Sequence, residues 1–521
     1  MPHVVTQACC GDAACVYACP VNCIHPTPEE PDFGISEMLY IDPSTCVDCG
    51  ACVSACPVGA IVPGHRLTDG QLRFVDINAA QYGGPIRSGE VSMPGSGARF
   101  PVDPGRRLPL APIDKPRPIA VDDTLSVAIV GSGPSAMYAA DELLRQPRVR
   151  VTIYERLDRP FGLARYGVAP DHTETRTVMR YFDTIATNPH LEIRLGVTVG
   201  RDVTLEQLRE SHDAVIWAGG APTDRPLPVP HADAAGVLSA TSVVGWYNDH
   251  PDFASVPVDL VTDRVAIIGN GNVALDVARI LTTHPDKLAR TDIAPHALAA
   301  LRRSAVSEVV VVGRRGPQHA AFTLPELVGL VDGGANVVVD PADLEGAHAN
   351  AGDVTTALKL ELLREVATRT PADGPRIRLA FWEAPAGIVV DRDGYATGVE
   401  LARNAPTDDG GVAPTGATGV LDAGLILTSI GYRGKPVPGL PFDDAAGVVP
   451  HAAGRVLDGD APMPGVYVTG WIKRGPTGFI GTNKTDSTET VMSLLADAES
   501  GVLPSHRRSS TRRGRLLARL R

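Results

Sequence analysis

All nine cysteines of the 521-residue chain lie within its first 56 positions. The rest of the chain contains none. A secreted disulfide scaffold distributes its thiols through the fold that they staple, whereas thiolates clustered beside a large thiol-free body more often bind metal. The distribution therefore predicts a metal-binding N-terminal domain followed by a larger body of different construction.

The spacing of these cysteines predicts two iron–sulfur clusters. The second half of the run is Cys46-x2-Cys49-x2-Cys52-x3-Cys56-Pro57. This spacing matches that of bacterial ferredoxins, in which a loop wraps a cubane cluster and the fourth cysteine binds the other cluster. In the first half, Cys19-Pro20 mirrors Cys56-Pro57, as expected of a two-fold repeat that exchanges its last cysteines. A second run of three closely spaced cysteines is missing there, so the two clusters have unequal numbers of thiolates.

From this repeat we expect a 4Fe–4S cluster on Cys19, Cys46, Cys49 and Cys52. The partner cluster takes Cys9, Cys15 and Cys56, and three thiolates favour 3Fe–4S over 4Fe–4S. Residues 2–65 resemble the seven-iron bacterial ferredoxins. The gap between Cys9 and Cys15 is shorter than in that family, which leaves Cys10 able to compete with Cys9. Cys10 and Cys23 are expected to be buried free thiols rather than ligands.

From Leu125 onward, short apolar runs alternate with helical stretches, a pattern typical of parallel sheets with crossover helices. The runs form two similar series, at 126–130, 149–154 and 213–217, and then at 264–268 and 308–312. The predicted fold class is α/β, with two Rossmann-like dinucleotide-binding domains preceded by a small α+β ferredoxin-like domain. Residues 403–420, rich in Gly, Pro, Thr and Asp, indicate a hairpin loop or a surface excursion.

The first series contains a glycine-rich turn, Gly131-Ser132-Gly133-Pro134-Ser135-Ala136, between a strand and a helix. Backbone amides of such a turn meet a pyrophosphate at the helix N-terminus. The next strand ends in Glu155, whose carboxylate would accept hydrogen bonds from both ribose hydroxyls and repel a 2′-phosphate. FAD or NAD fits this turn, and NADP does not.

The second series contains Gly269-Asn270-Gly271-Asn272-Val273-Ala274, and its following strand ends in Gly313-Arg314-Arg315 where the acid would be. Two guanidiniums there supply forked donors for a 2′-phosphate, which predicts NADP. The alternative is that both arginines are ordinary exposed charges. One chain is thus expected to bind two different dinucleotides.

Residues 125 to about 497 resemble adrenodoxin reductase and its bacterial ferredoxin–NADP reductase relatives. The resemblance lies in 161–163, 167–172, 269–279, 313–317 and 470–484. It implies FAD contacts from Ser135, Glu155, Leu163, Val197, Trp471, Gly478, Phe479 and Ile480, beside Gly131 and Gly133 of the turn. For NADP it implies Asn270, Gly271, Asn272, Val273, Arg314, Arg315 and Glu326, with Gly478 near the nicotinamide. Pro325 can shift the start of the helix that carries Glu326, and residues 478–482 form a loop that caps a helix from about Asp486.

His172, beside Asp171, is the one catalytic candidate, as an electrostatic group near the flavin; a structural histidine is the alternative. Because no cysteine follows Cys56, the Cys-x-x-Cys relay of thioredoxin reductase is excluded. We expect a ferredoxin–NADP reductase, with hydride passing from NADPH to FAD and single electrons passing through the clusters to an acceptor protein such as ferredoxin or cytochrome P450. Two alternatives are an electron-input subunit, like the small subunit of glutamate synthase, and a redox sensor.

The expected domains are a ferredoxin domain at 1–76, a proline-rich linker at 77–124, an FAD-binding domain at 125–222 and 428–500, an NADP-binding domain at 223–427, and a basic tail at 501–521. The net charge of −12 argues against nucleic-acid binding. Seven arginines of the tail are expected to be solvated, with an anionic docking patch as the alternative. The chain has neither a secretory leader nor an apolar run of roughly 18 residues, so we expect a cytoplasmic protein without membrane attachment.

Overall fold

The computed structural model describes residues 2–83, 124–407 and 411–504. Within them the chain forms two units and passes between these several times. Unit 1 contains 2–83, Tyr166–Thr177 and Asp224–Gly431, and unit 2 contains 124–165, Val178–Thr223 and 432–504. Residues 84–123 of the predicted linker and 505–521 of the predicted tail lie outside the described residues. Two short strands, β9 (Thr223–Asp224) and β19 (Tyr432–Arg433), lie where the chain passes from one unit to the other.

The N-terminal part of unit 1 is a small α+β fold with an internal repeat. Helices α1 and α2 each follow a left-handed residue, Ala13 (φ 58°) and Gly50 (φ 76°), and each ends at a cysteine in the same extended conformation, Cys19 and Cys56. A proline follows both cysteines, and proline cannot continue a helix. Strands β1 and β4 pair antiparallel, as do β2 and β3. The elements are β1 (His3–Val5), α1 (Ala14–Ala18), β2 (Ile24–His25), β3 (Tyr40–Ile41), α2 (Ala51–Ala55), β4 (Ile61–Pro63) and α3 (Arg73–Ala80), with short 3-10 turns at Gly64–Arg66 and Asp69–Gln71.

The larger part of unit 1 is built on a six-stranded parallel sheet in the order β10-β18-β11-β12-β14-β13. All five residues of β12 are buried, as expected when helices cover both faces of a parallel sheet. Between β11 and β18 the strand order reverses, and such switch points are where α/β sheets bind ligands. The strands are β10 (Val237–Ser239), β11 (Arg264–Ile268), β12 (Glu308–Val312), β13 (Val337–Val339), β14 (Arg376–Ala380) and β18 (Leu425–Thr428). The helices are α6 (Thr173–Arg176), α9 (Ala240–Tyr247), α10 (Asn272–Thr282), α11 (Pro285–Leu288), α12 (Pro295–Leu301), α13 (Leu324–Asp332) and α14 (Val354–Thr368), with 3-10 turns at Pro317–His319 and Pro341–Leu344.

A separate antiparallel sheet of unit 1 is formed by β15 (Glu383–Val390), β16 (Ala396–Pro406) and β17 (Val412–Asp422). The last two strands are a long hairpin that contains most of residues 403–420. The expectation of a hairpin there is confirmed, but most of the stretch is strand rather than loop.

Unit 2 contains a seven-stranded sheet in the order β20-β21-β22-β8-β5-β6-β7. Strands from β22 to β7 run parallel, and β20, β21 and β22 pair antiparallel at one edge. The strands are β5 (Leu125–Val130), β6 (Val149–Tyr154), β7 (Leu191–Arg194), β8 (Ala214–Trp217), β20 (His451–Ala452), β21 (Arg455–Asp458) and β22 (Ala461–Val468). The helices are α4 (Pro134–Leu144), α5 (Gly162–Tyr166, which ends at the first residue of a unit 1 segment), α7 (Val178–Ala186), α8 (Leu205–Ser211), α15 (Trp471–Arg474) and α16 (Thr482–Glu499).

The predicted fold class is confirmed, and each predicted strand is present to within one residue. One helix start was wrong: α16 begins at Thr482 rather than near Asp486. The Thr482 hydroxyl accepts a hydrogen bond from the Phe479 amide (3.0 Å), which ties the preceding loop to the first turn. Helix α3 ends at Ala80 and so includes the first four residues of the expected linker. No helix among the described residues combines the length and apolar character needed to cross a bilayer.

Within unit 1, the N-terminal part packs directly against the parallel-sheet part. Buried apolar side chains of both parts belong to one continuous core. Arg73 pairs with Asp332 (3.0 Å) and Glu365 (3.1 Å), and Lys359 pairs with Glu37 (3.3 Å). This seam joins residues 259 to 322 positions apart, and it places the N-terminal part beside helix α13.

Candidate functional site

Four of the predicted cluster ligands, Cys19, Cys46, Cys49 and Cys52, line one cavity of the N-terminal part. They are named here the Cys49 set. Cys23, predicted to be a free thiol, lines the same cavity, with its sulfur 3.4 Å from that of Cys19. Hydrogen bonding by Cys23 lowers the pKa of Cys46 to about 5 and lowers that of Cys19. Burial raises the pKa of Cys52 to about 11. Thiols gathered around one cavity are the donor set that an iron–sulfur cluster requires.

The remaining predicted ligands, Cys9, Cys15 and Cys56, are named the Cys56 set. Burial raises the pKa of Cys9 to about 12, and nearby Cys56 and Asp12 add to the rise. Burial also raises the pKa of Cys15, with further contributions from Cys9 and Cys56. The three thiols therefore lie close enough to repel one another as thiolates, and a bound metal would relieve that cost. Cys10, the predicted competitor of Cys9, is buried beside the same group.

A hydrogen bond shared by both halves of the repeat explains the place of Cys23. The sulfur of Cys19 accepts from the amide of Cys23 (3.4 Å), and the sulfur of Cys56 accepts from the amide of Ala60 (3.3 Å), each four residues ahead. Cys23 and Ala60 thus occupy equivalent positions. The repeat uses only the backbone amide of this position. The side chain of Cys23 is therefore an additional, fifth thiol in the cavity.

In unit 2, the first glycine turn has the geometry of a phosphate-binding cradle. Gly131 has a φ of 96°, and a Cβ there would lie 2.7 Å from the carbonyl oxygen of Ala218. Gly133 immediately precedes helix α4 and has open space where a side chain would be. A Cβ on Gly162 would lie 2.9 Å from the Cα of Gly133, so the 161–163 segment packs against the turn. The first glycine is required by the fold, and the second leaves room for a ligand to approach.

Glu155 follows the next strand and is buried. One of its carboxylate oxygens accepts from the amide (2.9 Å) and hydroxyl (2.6 Å) of Ser132, and the other accepts from the amide of Leu157 (2.9 Å). The amide of Val197 donates to the Glu155 carbonyl (2.8 Å). A carboxylate has about four acceptor positions, so capacity remains for ribose hydroxyls. Leu163 is exposed at 42% of its surface.

The predicted FAD residues near the C-terminus of unit 2 are held by Asn483, which sequence analysis did not select. Its side-chain amide donates to the carbonyls of Phe479 (3.2 Å) and Ile480 (2.9 Å), and its oxygen accepts from the hydroxyl of Ser135 (2.8 Å). Asn483 therefore connects the two separate stretches of predicted FAD residues. The indole of Trp471 donates to the carbonyl of Thr477 (3.2 Å), and Gly478 has a φ of 78°. The sequence signal that could have identified Asn483 is an amide side chain in the first turn of a helix.

The second glycine turn, in unit 1, repeats this geometry at the carboxyl end of β11. Gly269 has a φ of 111°, and a Cβ there would lie 2.1 Å from the carbonyl oxygen of Ser429. Gly271 precedes helix α10 and has open space. The side chain of Asn272 accepts from the amide of Thr323 (2.8 Å), and the carbonyl of Asn270 accepts from that of Phe322 (2.8 Å). Both asparagines thus anchor the segment before α13, while Val273 lies in the first turn of α10.

Arg314 and Arg315 follow the end of β12, and both side chains are exposed. Their carbonyls are fixed, since Asn404 donates to that of Arg314 (2.9 Å) and the Trp382 amide donates to that of Arg315 (3.2 Å). A rigid backbone with two exposed guanidiniums at a strand end suits a 2′-phosphate. Pro325 lies in the first turn of α13, where its missing amide hydrogen costs little, and Thr323 caps the helix by accepting from the Glu326 amide (3.4 Å).

His172 lies in a charged group of unit 1. Its Nε2 is 2.8 Å from an oxygen of Asp276 and 3.5 Å from one of Glu326. Arg279 donates to Asp171 (2.6 and 2.9 Å) and to Asp276 (2.8 Å). Burial disfavours the charged imidazole, but Asp276 and Glu326 outweigh this effect and raise the pKa of His172 to about 9. Burial raises the pKa of Glu326, and His172 opposes the rise.

The N-terminal part reaches this charged group through Gln7. Its side-chain amide donates to the carboxylate of Glu326 (3.1 Å). It occupies the space above Gly329, where a Cβ would lie 2.1 Å from the Gln7 nitrogen. Asp276 and Arg279 fall within a stretch that the resemblance covers, but no local pattern marks Gln7, because its partner is 319 residues away.

Known protein families match both the cysteine-rich N-terminal part and the part that contains the first glycine turn. A family described as 4Fe-4S dicluster domain matches residues 8–60, and a second family of that description matches residues 38–89. A family described as NAD(P)-binding Rossmann-like domain matches residues 129–194.

Relatives and solved structures extend the similarity to nearly the whole chain. The probable ferredoxin/ferredoxin–NADP reductase of Mycobacterium tuberculosis is 52% identical over 512 residues, which cover 96% of this chain and 85% of the relative. The mitochondrial NADPH:adrenodoxin oxidoreductase of Homo sapiens is 43% identical over 401 residues, 74% of this chain and 81% of that protein. The structure of Mycobacterium tuberculosis FprA in complex with NADPH has a TM-score of 0.71 and 42% identity, and the match covers 78% of this chain and 91% of that one. The chain belongs to the ferredoxin/ferredoxin–NADP reductase family.

Proposed function

We propose that this chain takes hydride from NADPH and passes single electrons through its own iron–sulfur clusters to an acceptor protein. The observation that carries the proposal is the pair of glycine turns with opposite charges at the following strand ends. Glu155 follows the first turn, and Arg314 and Arg315 follow the second. An acid selects the unphosphorylated ribose of FAD, and the arginines select the 2′-phosphate of NADP.

When bound, the flavin supplies the conversion between a two-electron hydride and single electrons, and the chain supplies binding and orientation. Glu155 and the Gly131 turn hold the adenosine and pyrophosphate of FAD. Asn483 fixes residues 478–480, and helix α16 directs its positive end toward that loop. His172 is a positioning residue: its imidazolium holds Asp276 and Glu326 in place beside the N-terminal turn of α10.

For the clusters, we propose a 4Fe–4S cluster on the Cys49 set and a 3Fe–4S cluster on the Cys56 set. The matching families are described as 4Fe-4S dicluster domains, which supports two clusters. The Cys56 set offers three thiolates by spacing, and Cys10 is buried beside them. A 4Fe–4S cluster on this set would need Cys10 or Asp12 as its fourth ligand. Electron paramagnetic resonance (EPR) of the isolated protein separates the two assignments.

We propose a ferredoxin or a cytochrome P450 as the acceptor and the cytoplasm as the location. Redox-active thiol ligands suit a reducing compartment. The alternative of an electron-input subunit predicts that the pure chain needs a partner to act. The relatives named above are described as a reductase and an oxidoreductase rather than as subunits, and this favours a free-standing enzyme.

The test is stopped-flow mixing of the holoenzyme with NADPH. Flavin absorbance should bleach before cluster absorbance changes, and the pure chain should reduce an artificial acceptor without any partner. A Cys46→Ser variant should retain flavin bleaching and lose reduction of a large protein acceptor such as cytochrome c. If this variant reduced cytochrome c at the full rate, the clusters would not be on the route.

A further inference from the structure

The two thiol sets differ in what surrounds them. Cys49 is exposed, and its neighbour Val47 is an apolar side chain with 58% of its surface exposed. Asp48 between them is also exposed. The Cys49 set thus reaches the surface of the N-terminal part at residues 47–49.

The Cys56 set lies instead beside the seam with the parallel-sheet part. Pro57, next to Cys56, accepts a hydrogen bond at its carbonyl from the hydroxyl of Thr177 (3.1 Å). Gln7, two residues before Cys9, donates to Glu326 (3.1 Å). Cys9 and Cys56 therefore each lie within two residues of a hydrogen bond that joins the N-terminal part to the parallel-sheet part.

These contacts reach the dinucleotide edge of that sheet. Glu326 is in the first turn of α13, and through His172 it is joined to Asp276, four residues after the start of α10. The glycine turn at this end of α10 is the proposed pyrophosphate site. NADPH bound at this turn would bring its hydride to this edge of the sheet. The Cys56 set therefore faces the side of unit 1 at which NADPH is proposed to bind.

The two sets adjoin each other within the N-terminal part. Cys15 lies in α1 and Cys52 in α2, and both side chains are buried. Helices α1 and α2 pack against each other, and both side chains belong to the same core. A buried connection thus runs from the set at the seam to the set at the surface.

We propose that electrons enter the N-terminal domain at the Cys56 set and leave it from the Cys49 set. This order rests on the proposed function. Each NADPH yields two electrons, one proton and NADP⁺, and the electrons pass singly, so two one-electron acceptor molecules are reduced. The exposed patch at Val47 and Cys49 is then the place where the acceptor receives each electron.

The direct test is rapid-freeze EPR of the holoenzyme after mixing with NADPH, with the flavin followed by absorbance. The signal of the Cys56 set should change first and that of the Cys49 set second. A reversed order, or a Cys49 cluster that NADPH leaves oxidised, would overturn the proposal. If flavin absorbance did not change, the proposed function itself would be wrong. If the flavin bleached and the clusters were reduced in the reverse order, only the proposed order of the clusters would be wrong.

Two ligand variants separate entry from exit. In Cys49→Ser, NADPH should still reduce the Cys56 cluster at the wild-type rate, while reduction of cytochrome c falls at least tenfold. In Cys15→Ser, the Cys49 cluster should be reducible by dithionite but not by NADPH. Reduction of that cluster by NADPH at the wild-type rate would contradict the order.

A third variant changes no ligand and covers the case in which Cys15→Ser fails to fold. Gly329→Ala places a methyl group where the Gln7 amide lies and so displaces Gln7 from Glu326. Reduction of both clusters should slow together relative to flavin bleaching, which is recorded in the same experiment. If both clusters were reduced at the wild-type rate, the seam at Gln7 would not be part of the entry.

Discussion

The charged group around His172 makes part of the stability of unit 1 depend on pH. Burial disfavours the imidazolium, but Asp276 and Glu326 outweigh it and raise the pKa of His172 from 6.5 to about 9. The folded state therefore binds this proton more tightly than the unfolded state does. The stabilisation is fully present below pH 6.5 and is lost as the pH rises through about 9. At roughly 1.4 kcal/mol for each unit of pKa, it amounts to at most about 3.5 kcal/mol.

The titration can be observed directly by NMR of histidine-labelled protein, with the His172 resonance assigned by its absence in His172→Gln. We expect a midpoint near pH 9. Asp276→Asn removes the nearest carboxylate and should lower the midpoint by about 1 to 3 units, the usual effect of one close opposite charge. Asp286→Asn, beside the exposed His284, is the matched control and should leave the His172 midpoint unchanged.

The energetic part is measured by denaturant unfolding of wild type and His172→Gln across the same pH range. The difference in unfolding free energy should shrink between pH 6.5 and 9, by up to about 3.5 kcal/mol. A wild-type midpoint at or below 6.5, or one that does not move in Asp276→Asn, would refute the reasoning.

Three further predictions concern the binding turns and the seam. Gly131→Ala should destabilise the protein even without FAD, by about 1–3 kcal/mol, because a Cβ would be strained at φ 96° and meet Ala218; Gly133→Ala, with open space, should keep apoprotein stability and lose FAD affinity by fluorescence titration. Arg314→Ala should raise the Kd for NADPH roughly tenfold or more, with NADH binding unchanged, because a charged hydrogen bond contributes about 1.5–3 kcal/mol. Arg73→Ala should lower the unfolding free energy by about 1 kcal/mol, since its ion pairs are partly exposed, and Arg73→Lys should recover part of that loss.

The features that sequence predicted well have short-range causes. A buried strand, a glycine turn and the charge at the end of the next strand follow one another within about 50 residues, and each follows from backbone geometry and ligand chemistry. The cysteine repeat is likewise local: Cys19 and Cys56 end equivalent helices before a proline. Such patterns specify the fold and the cofactor class without knowledge of distant contacts.

The features that sequence missed depend on packing between distant segments. The bond from Gln7 to Glu326 spans 319 residues, and no pattern near either residue predicts it. Asn483 joins the Ser135 turn to residues 479–480 in the same way. Cys23 is buried as expected, but that it lines the cavity of the Cys49 set depends on how the whole N-terminal part folds.

Gly329 provides a way to recognise fused chains of this kind from their sequences. It lies inside helix α13, where a glycine costs roughly 1 kcal/mol relative to alanine. The cost is offset here because the vacant position admits the amide of Gln7 from the N-terminal part. A reductase without an attached ferredoxin domain has no such reason to keep a glycine at this position. A glycine there, together with a glutamine two residues before the first cysteine, should therefore mark fused chains whose two parts dock in this way, before any of their structures is known.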